Sequence, residues 1–341
     1  MSEYGTMSES DETTAVNQPA DEAAFTALIE QHRRELHIHC YRMLGSFDDA
    51  EDAVQDAFLR AWRYRESRRE GASLRPWLYQ IATNACLDVI ARDKRRTAVT
   101  PATETDDAVA PNVAEITWLQ PYPDALLEPA APRETEPDAI VVTKETIELA
   151  FLAVIQLLTP QQRATLILRD VLGWSAKETA ALLDASVAAV NGALQRARAT
   201  LRRHLPSRKA EWPAGVDATV AERELVRKFV EASEQADTKW FASVIREDAV
   251  FRMPPEPGET VGRDAMMRLW MEGGFGTTMR LRCLTTRANR QPAVAFYNLG
   301  KDDTTYEAMA LDVIRIEEGM ITEVITFAPT VFEDFGLPLT I

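Results

Sequence analysis

Residues Leu158–Leu205 read LTPQQRATLILRDVLGWSAKETAALLDASVAAVNGALQRARATLRRHL, and this stretch contains three separate helix starts. Thr159-Pro160-Gln161-Gln162 puts a hydroxyl at the N-cap, proline at the first helical position and an amide at the third. Cap and third residue then satisfy each other's free backbone N–H groups. The helix runs through RATLILRDVL and stops at Gly173. Ser175-Ala176-Lys177-Glu178 is a second capping box, opening the short helix AKETAALLD, and Ser186 caps a third, VAAVNGALQRARATLRRHL. A short helix, a tight turn and a longer helix with a basic tail form a helix-turn-helix. The plain alternative is a helical hairpin with no ligand. DNA binding is favoured by Arg196, Arg198, Arg202, Arg203, Arg208 and Lys209, which suit phosphate contacts. Ser186, Ala188 and Ala189 are small enough for close approach to base edges. Asn191 and Gln195 have the amide that reads adenine, and alanine can meet a thymine methyl.

The charge of the chain is arranged around this stretch. The 341 residues carry a net charge of −15, which on its own speaks against nucleic acid, but residues 138–209 hold ten bases against six acids. Acidic segments flank them, so the whole-chain value hides a basic unit. A hydrophobic content of 46% with 27% charged residues fits a soluble globular protein of two or three domains. No apolar run is long enough for a membrane span, and residues 1–20 lack the pattern of a signal peptide. Cys40, Cys86 and Cys283 are odd in number and far apart, which argues against a disulfide framework and for a cytoplasmic setting.

The composition divides the chain further. Residues 1–20 form an acidic tail, and 21–97 are helical by their three- and four-residue apolar spacing. Residues 98–137 contain seven prolines among acids and read as a linker, except for WLQPYPDALL, Trp118–Leu127. There Trp118, Leu119, Pro121, Tyr122 and Pro123 are either a local tuck or a docking element. Residues 138–209 hold the helix-turn-helix. Residues 210–341 pass from helices to alternating runs, with EEGM (Glu317–Met320) as a hairpin turn, and suggest a separate α+β unit of antiparallel strands.

Within 21–97, DDAEDAVQDAFLRAW (Asp48–Trp62) places five acids in nine positions. On a helical wheel Asp49, Asp52 and Asp56 share one side, while Ala50, Ala53, Val54, Ala57, Phe58 and Ala61 gather opposite. Carboxylates spread along an outer face diverge, so they make a poor metal site. The residues leave open whether this face is merely solvated or meets a basic protein. The following helix, SLRPWLYQIATNACLDVIARDKRR, carries Trp77 and Tyr79 near its start and a basic cluster at its end. Rings and bases in alternation suit a melted DNA strand, through stacking and phosphate neutralisation.

In the C-terminal unit, Trp240, Phe251, Met253, Trp270, Phe296 and Tyr297 are candidates to line a small-molecule pocket, with ordinary core as the alternative. All four histidines lie outside it, which leaves Asp248, Asp264 and Asp312 as candidate acid/base residues, none of them marked as activated; Asp248 reads as a helix-to-strand turn former. His37 and His39 point about 200° apart on a helix and do not share one ion easily. No metal and no cofactor are expected, nor any catalytic residue.

Three motifs in order, GSFDDAEDAVQDAFLRAW, LRPWLYQIATNACLDVIARDKRR and the helix-turn-helix, resemble bacterial sigma-70 factors of the extracytoplasmic-function (ECF) type, over about residues 22–205. The resemblance implies a multidomain protein with two all-α sigma domains, regions 2 and 4. It implies RNA polymerase core (β′ clamp and β flap) and promoter DNA as partners. Asp49, Asp52, Gln55 and Asp56 then fall on the β′-binding positions. Trp77, Asn84, Asp88, Arg92, Arg95 and Arg96 fall on the segment for the −10 element. Ser186, Ala188, Ala189, Asn191, Gln195, Arg196, Arg198 and Arg202 fall on the segment for the −35 element. Asn191-Gly192-Ala193 departs from the basic or Ser-Arg pair that many members carry there, which implies fewer charged contacts. Residues beyond 205 exceed a minimal ECF factor. Their layout resembles the cone-shaped SnoaL-like (nuclear-transport-factor-2-like) fold, and WLQPYPDALLEP resembles the linker motif of sigma factors with such an extension. That subgroup implies modulation of sigma activity in cis. An alternative is a DNA-binding protein fused to an active SnoaL-like cyclase or isomerase.

Overall fold

The computed structural model describes residues 18–67, 73–94, 96, 115–127, 147–204, 220–300 and 304–341. Most of the expected tail, Arg95, Arg208, Lys209 and much of the 98–137 segment therefore lie outside the described residues. The first helical unit comprises α1 (Gln18–Glu30), α2 (Arg33–Leu44), α3 (Phe47–Arg63) and α4 (Leu74–Arg92). Helix α1 starts inside the segment read as tail. Ser46 caps α3 by accepting the Asp49 N–H at 3.2 Å, with Asp48 and Asp49 favoured at the positive end of the helix dipole. The buried residues of α3 are Ala50, Ala53, Val54, Ala57, Phe58 and Ala61, the side that the wheel assigns to the core.

The second unit is α5 (Leu149–Gln156), α6 (Pro160–Leu166) prolonged by a π-turn over Ile167–Val171, α7 (Ala176–Leu182) and α8 (Val187–His204). Both capping boxes form, at Thr159/Gln162 and at Ser175/Glu178, and Ser186 Oγ accepts the Ala189 N–H at 3.1 Å.

The C-terminal unit is α9 (Val220–Gln235), α10 (Thr238–Val244), β1 (Ile245–Arg252), β2 (Thr260–Val261), α11 (Arg263–Glu272), β3 (Leu281–Ala288), β4 (Gln291–Leu299), β5 (Tyr306–Glu317) and β6 (Met320–Phe327). The strand order is β2-β1-β6-β5-β4-β3. Pairing is antiparallel except for β1 with β6, which is parallel and corrects the all-antiparallel expectation. Asp248 lies inside β1, at a register shift, and not in a turn. Two hairpins close through residue pairs with positive φ, Glu318-Gly319 and Asn289-Arg290, the geometry that matches strand twist.

Two apolar cores organise the chain. One lies between the sheet and α9–α11. The other is continuous from the first helical unit through residues 116–127 and the second helical unit to the opposite face of the sheet, at Ala293, Ala295, Tyr297, Leu311, Val313, Ile325 and Phe327. Burial on this scale drives the three units together.

Candidate protein and nucleic-acid interfaces

The acidic face of α3 is not uniform. Asp52 and Gln55 are exposed, and Asp52 has no ionic partner among the described residues. Leu59, one turn further, is 68% exposed and continues the same side. Asp56 is held by Arg60 at 2.7 Å, and Arg60 reaches Asp88 of α4 at 2.8 Å. Asp49 is ion-paired with Arg96. At the helix start, Gln120 Nε2 donates to Asp48 at 2.6 Å, and Gln120 Oε1 accepts from Ser46 Oγ at 2.8 Å and the Asp48 N–H at 3.1 Å. The four expected contact residues thus share one helix: Asp52 and Gln55 are exposed, Gln55 donating to Glu51 at 3.4 Å, while Asp49 and Asp56 are ion-paired within the chain.

Along α4, Asn84, Asp88 and Arg92 are exposed, and Trp77 is half-buried against the large core. Arg96 departs from the expectation of a DNA contact. It is fully buried, donates to the Leu44 carbonyl and to Asp49, and contacts Asp93 at 3.2 Å. Its guanidinium sits 5.1 Å from the ring centroid of Trp118. A basic run predicts solvent exposure; the end of α2 and two carboxylates draw this arginine inward instead.

In α8, Ser186, Ala188, Ala189, Asn191, Gln195, Arg196, Arg198 and Arg202 are all exposed on one side, while Val190, Ala193, Leu194 and Ala197 are buried. Arg198 is held by Asp170 through two hydrogen bonds of 2.8 and 2.6 Å, which orients it beside the helix and leaves fewer donors for phosphate.

Residues 115–127 dock, and they join all three units. Trp118, Leu119, Pro121, Tyr122 and Pro123 are buried. Tyr122 packs on Tyr41 at 4.7 Å, Phe47 at 5.3 Å and His37 at 5.4 Å. Tyr41 Oη donates to the Gln120 carbonyl at 2.7 Å, and the Gln120 N–H donates to the Gly45 carbonyl at 2.9 Å. Gly45 caps α2 with φ 71°, and a Cβ there would lie 3.1 Å from the Gln156 side chain of α5, so glycine serves both needs.

Asn289, at the β3–β4 turn, is the hub. It is fully buried, with φ 55°. Its Oδ1 accepts the Tyr122 N–H at 2.7 Å, and its own N–H donates to the Tyr122 carbonyl at 2.9 Å. Its Nδ2 donates to Tyr41 Oη at 2.9 Å and to the Ile147 carbonyl at 2.6 Å. One side chain thereby ties the first unit, the linker segment, the second unit and the sheet. Asp124 adds to this by accepting from Arg290 N–H at 2.7 Å and Arg287 Nε at 3.1 Å. Sequence reasoning passed over Asn289; its only local sign is an Asn-Arg pair between two strand-like runs, which predicts a turn and not what the turn touches.

The two helical units also meet directly. Arg163 of α6, fully buried, donates to the Met43 carbonyl and to Gln156 Oε1, both at 2.6 Å. Burial and then the charge of Arg96 lower its pKa to about 9. Trp174 packs on Tyr79 of α4 at 5.4 Å. The C-terminal segment brings Asp334 near Asp48; burial first, then the charges of Asp48 and Glu333, push Asp334 up to about 6.

The expected pocket residues come together as packing. Trp270 lies 6.2 Å from Phe251 and 5.5 Å from Phe241, and Trp240 lies 5.2 Å from Phe241. Phe229 lies 6.2 Å from Phe296. Edge-to-face rings at these spacings pack within the apolar core between the sheet and α9–α11. Tyr297 points to the other face, against Phe332 at 5.4 Å, and Met253 is exposed. Asp312 is a buried acid of this unit: burial pushes it up to about 7, against the pull of the Thr326 hydroxyl, which donates to it at 2.6 Å.

His37 and His39 are both buried and separately engaged. His37 Nδ1 is 3.0 Å from Tyr122 Oη, and His39 Nε2 is 2.9 Å from Thr83 Oγ1. Among the described residues no cluster of three metal-ligating side chains occurs, and no helix is long and apolar enough to cross a membrane.

Comparison with known proteins follows the same three divisions. Residues 28–96 match the Sigma-70 region 2 family, 148–201 Sigma-70 region 4, and 226–324 the SnoaL-like domain. The chain is 37% identical over 329 residues to "ECF RNA polymerase sigma factor SigG" of Mycobacterium tuberculosis, covering 94% of this chain and 86% of that protein. It is 32% identical over 194 residues to SigM of the same species, covering 57% of this chain and 83% of the relative. The crystal structure of M. tuberculosis SigJ, at 24% identity, superposes with a TM-score of 0.58 over 92% of this chain and 99% of that one, which supports the fold.

Proposed function

The chain belongs to the ECF RNA polymerase sigma factors, and from that premise we propose that it binds core polymerase, directs promoter-specific initiation, and is held closed in cis by its own linker and C-terminal domain. The exposed Asp52–Gln55–Leu59 side of α3 offers carboxylate and apolar groups to a basic polymerase surface. Helices α4 and α8 offer the residues for the two promoter elements. The Asn289 hub carries the closed reading: its amide oxygen and amide nitrogen are all engaged in buried hydrogen bonds, which makes the junction specific. The C-terminal domain acts through the contacts that Asn289, Arg287 and Arg290 make with the linker.

Run-off transcription with core polymerase tests this, using the wild-type chain and Asn289→Ala. Promoter-specific transcripts from the wild type, and a several-fold change in yield for the variant, are expected. Absence of promoter-specific transcripts from both would overturn the sigma reading. Equal yields, with the junction shown by hydrogen exchange to be open in the variant, would overturn regulation in cis.

A further inference from the structure

Arg96 closes the basic run that begins at Arg92, yet Arg92 and Lys94 are exposed and Arg96 is fully buried. Four groups surround its guanidinium. The Leu44 carbonyl at the C-terminal end of α2 and the Asp49 carboxylate accept from it, Asp93 lies at 3.2 Å, and the Trp118 ring covers it at 5.1 Å. The negative end of a helix, two carboxylates and an aromatic face together suffice to hold a desolvated cation.

Two features set this site apart from a purely structural arginine. Trp118 is itself buried, and its indole Nε1–H has no acceptor among the described residues, which works against the docked state of the linker. And Asp49 sits on the acidic helix, so the carboxylate that neutralises Arg96 is one that a basic polymerase group would also claim.

We propose that Arg96 is a DNA-phosphate contact withheld in the closed chain by Trp118 and released by polymerase. Pairing of Asp49 with a basic group on the polymerase withdraws its charge from Arg96, departure of the linker removes the Trp118 ring, and the freed guanidinium joins Arg92 and Lys94 beside the backbone of the promoter. Polymerase docking and DNA contact are thereby coupled through one side chain. The proposal rests on the sigma reading and on closure by the linker.

The test is phenylglyoxal modification of Arg96, followed by mass spectrometry, in the full chain alone, with core polymerase, and with core polymerase plus promoter DNA. Slow modification is expected in the first, at least about tenfold faster in the second, and slow again in the third; Trp118→Ala is expected to make the free chain reactive. Arg96 protected in the holoenzyme without DNA would overturn the proposal, as would Arg96 still reactive in the promoter complex. A second measurement is the salt dependence of promoter binding by the holoenzyme. Arg96→Gln is expected to reduce the slope of log K against log salt by about 0.9, as for one lost phosphate contact, and Arg96→Lys to keep it. If the glutamine variant fails to fold, the lysine variant and the wild-type modification pattern still decide. Promoter-specific transcripts with Arg96 protected throughout would refute this proposal alone, whereas no transcript from any holoenzyme would refute the sigma reading beneath it.

Discussion

Helix α8 presents Ala188, Ala189, Asn191, Gln195 and Arg202 to solvent, whereas the basic run at the end of α4 turns its last arginine into the core. Both segments are rich in groups suited to DNA. The difference lies in what packs on them: α8 rests on its own unit, at α5, α6 and α7, while the end of α4 lies under the docked linker. Linker docking therefore leaves the exposed side of α8 uncovered and falls on the first helical unit, where Asp48 and Asp49 are also engaged. On the proposed function, a chain closed in this way is restrained at its polymerase-binding unit, with its helix-turn-helix left in place.

The strongest way to break this contrast is at the seam between the helical units. Arg163→Ala leaves the Met43 carbonyl and Gln156 unpaired in a dry environment and is expected to destabilise the chain by about 3–5 kcal/mol, read from chemical denaturation. Asn289→Ala removes three side-chain hydrogen bonds and leaves a left-handed backbone position to alanine. A loss of about 2–3 kcal/mol is expected, with faster hydrogen exchange in residues 118–124 and little change in α8.

Asp312 sharpens the contrast from outside the junction. Its folded pKa is raised, so the folded domain prefers the protonated acid. Stability from this group is present below the ordinary carboxylate value near pH 4 and is lost as pH rises through about 7. Asp312→Asn is expected to stabilise the C-terminal domain at pH 8 by on the order of 2 kcal/mol and to flatten its melting temperature between pH 5 and 8. The junction should be unmoved.

Smaller effects belong to the exposed surfaces. Asp52→Lys is expected to weaken core polymerase binding about tenfold, equivalent to about 1.4 kcal/mol, with unchanged stability; an equal loss from Asp56→Lys alone would show that the Arg60 pair does not restrain that residue. Arg202→Ala should alter stability by less than about 0.5 kcal/mol and lower the salt slope of promoter binding by about 0.9. A larger stability change would mean that α8 is not free of the closed assembly.

Much of this molecule was legible before any coordinates. The capping boxes at Thr159 and Ser175 and the sidedness of α3 depend on residues three or four positions apart, so a local pattern suffices to read them. Docking of Trp118–Pro123 was visible as an open choice, because aromatic and leucine residues are unusual in a solvated tether. The ring cluster of Trp240, Phe251, Trp270 and Phe296 was visible as apolar, but which rings touch depends on how the sheet and α9–α11 come together.

Three units in order, the helix-turn-helix and the outward side of α3 can be read from the residues alone, since helical period and capping act within a few positions. That Arg96 is buried, that Asp49 and Asp56 are engaged within the chain, and that Asn289 binds residues 167 and 248 positions away emerges only when distant segments pack together. Those outcomes depend on which distant donors and acceptors meet once water is excluded. An arginine in a basic run looks the same in sequence whether it faces a phosphate or a helix end.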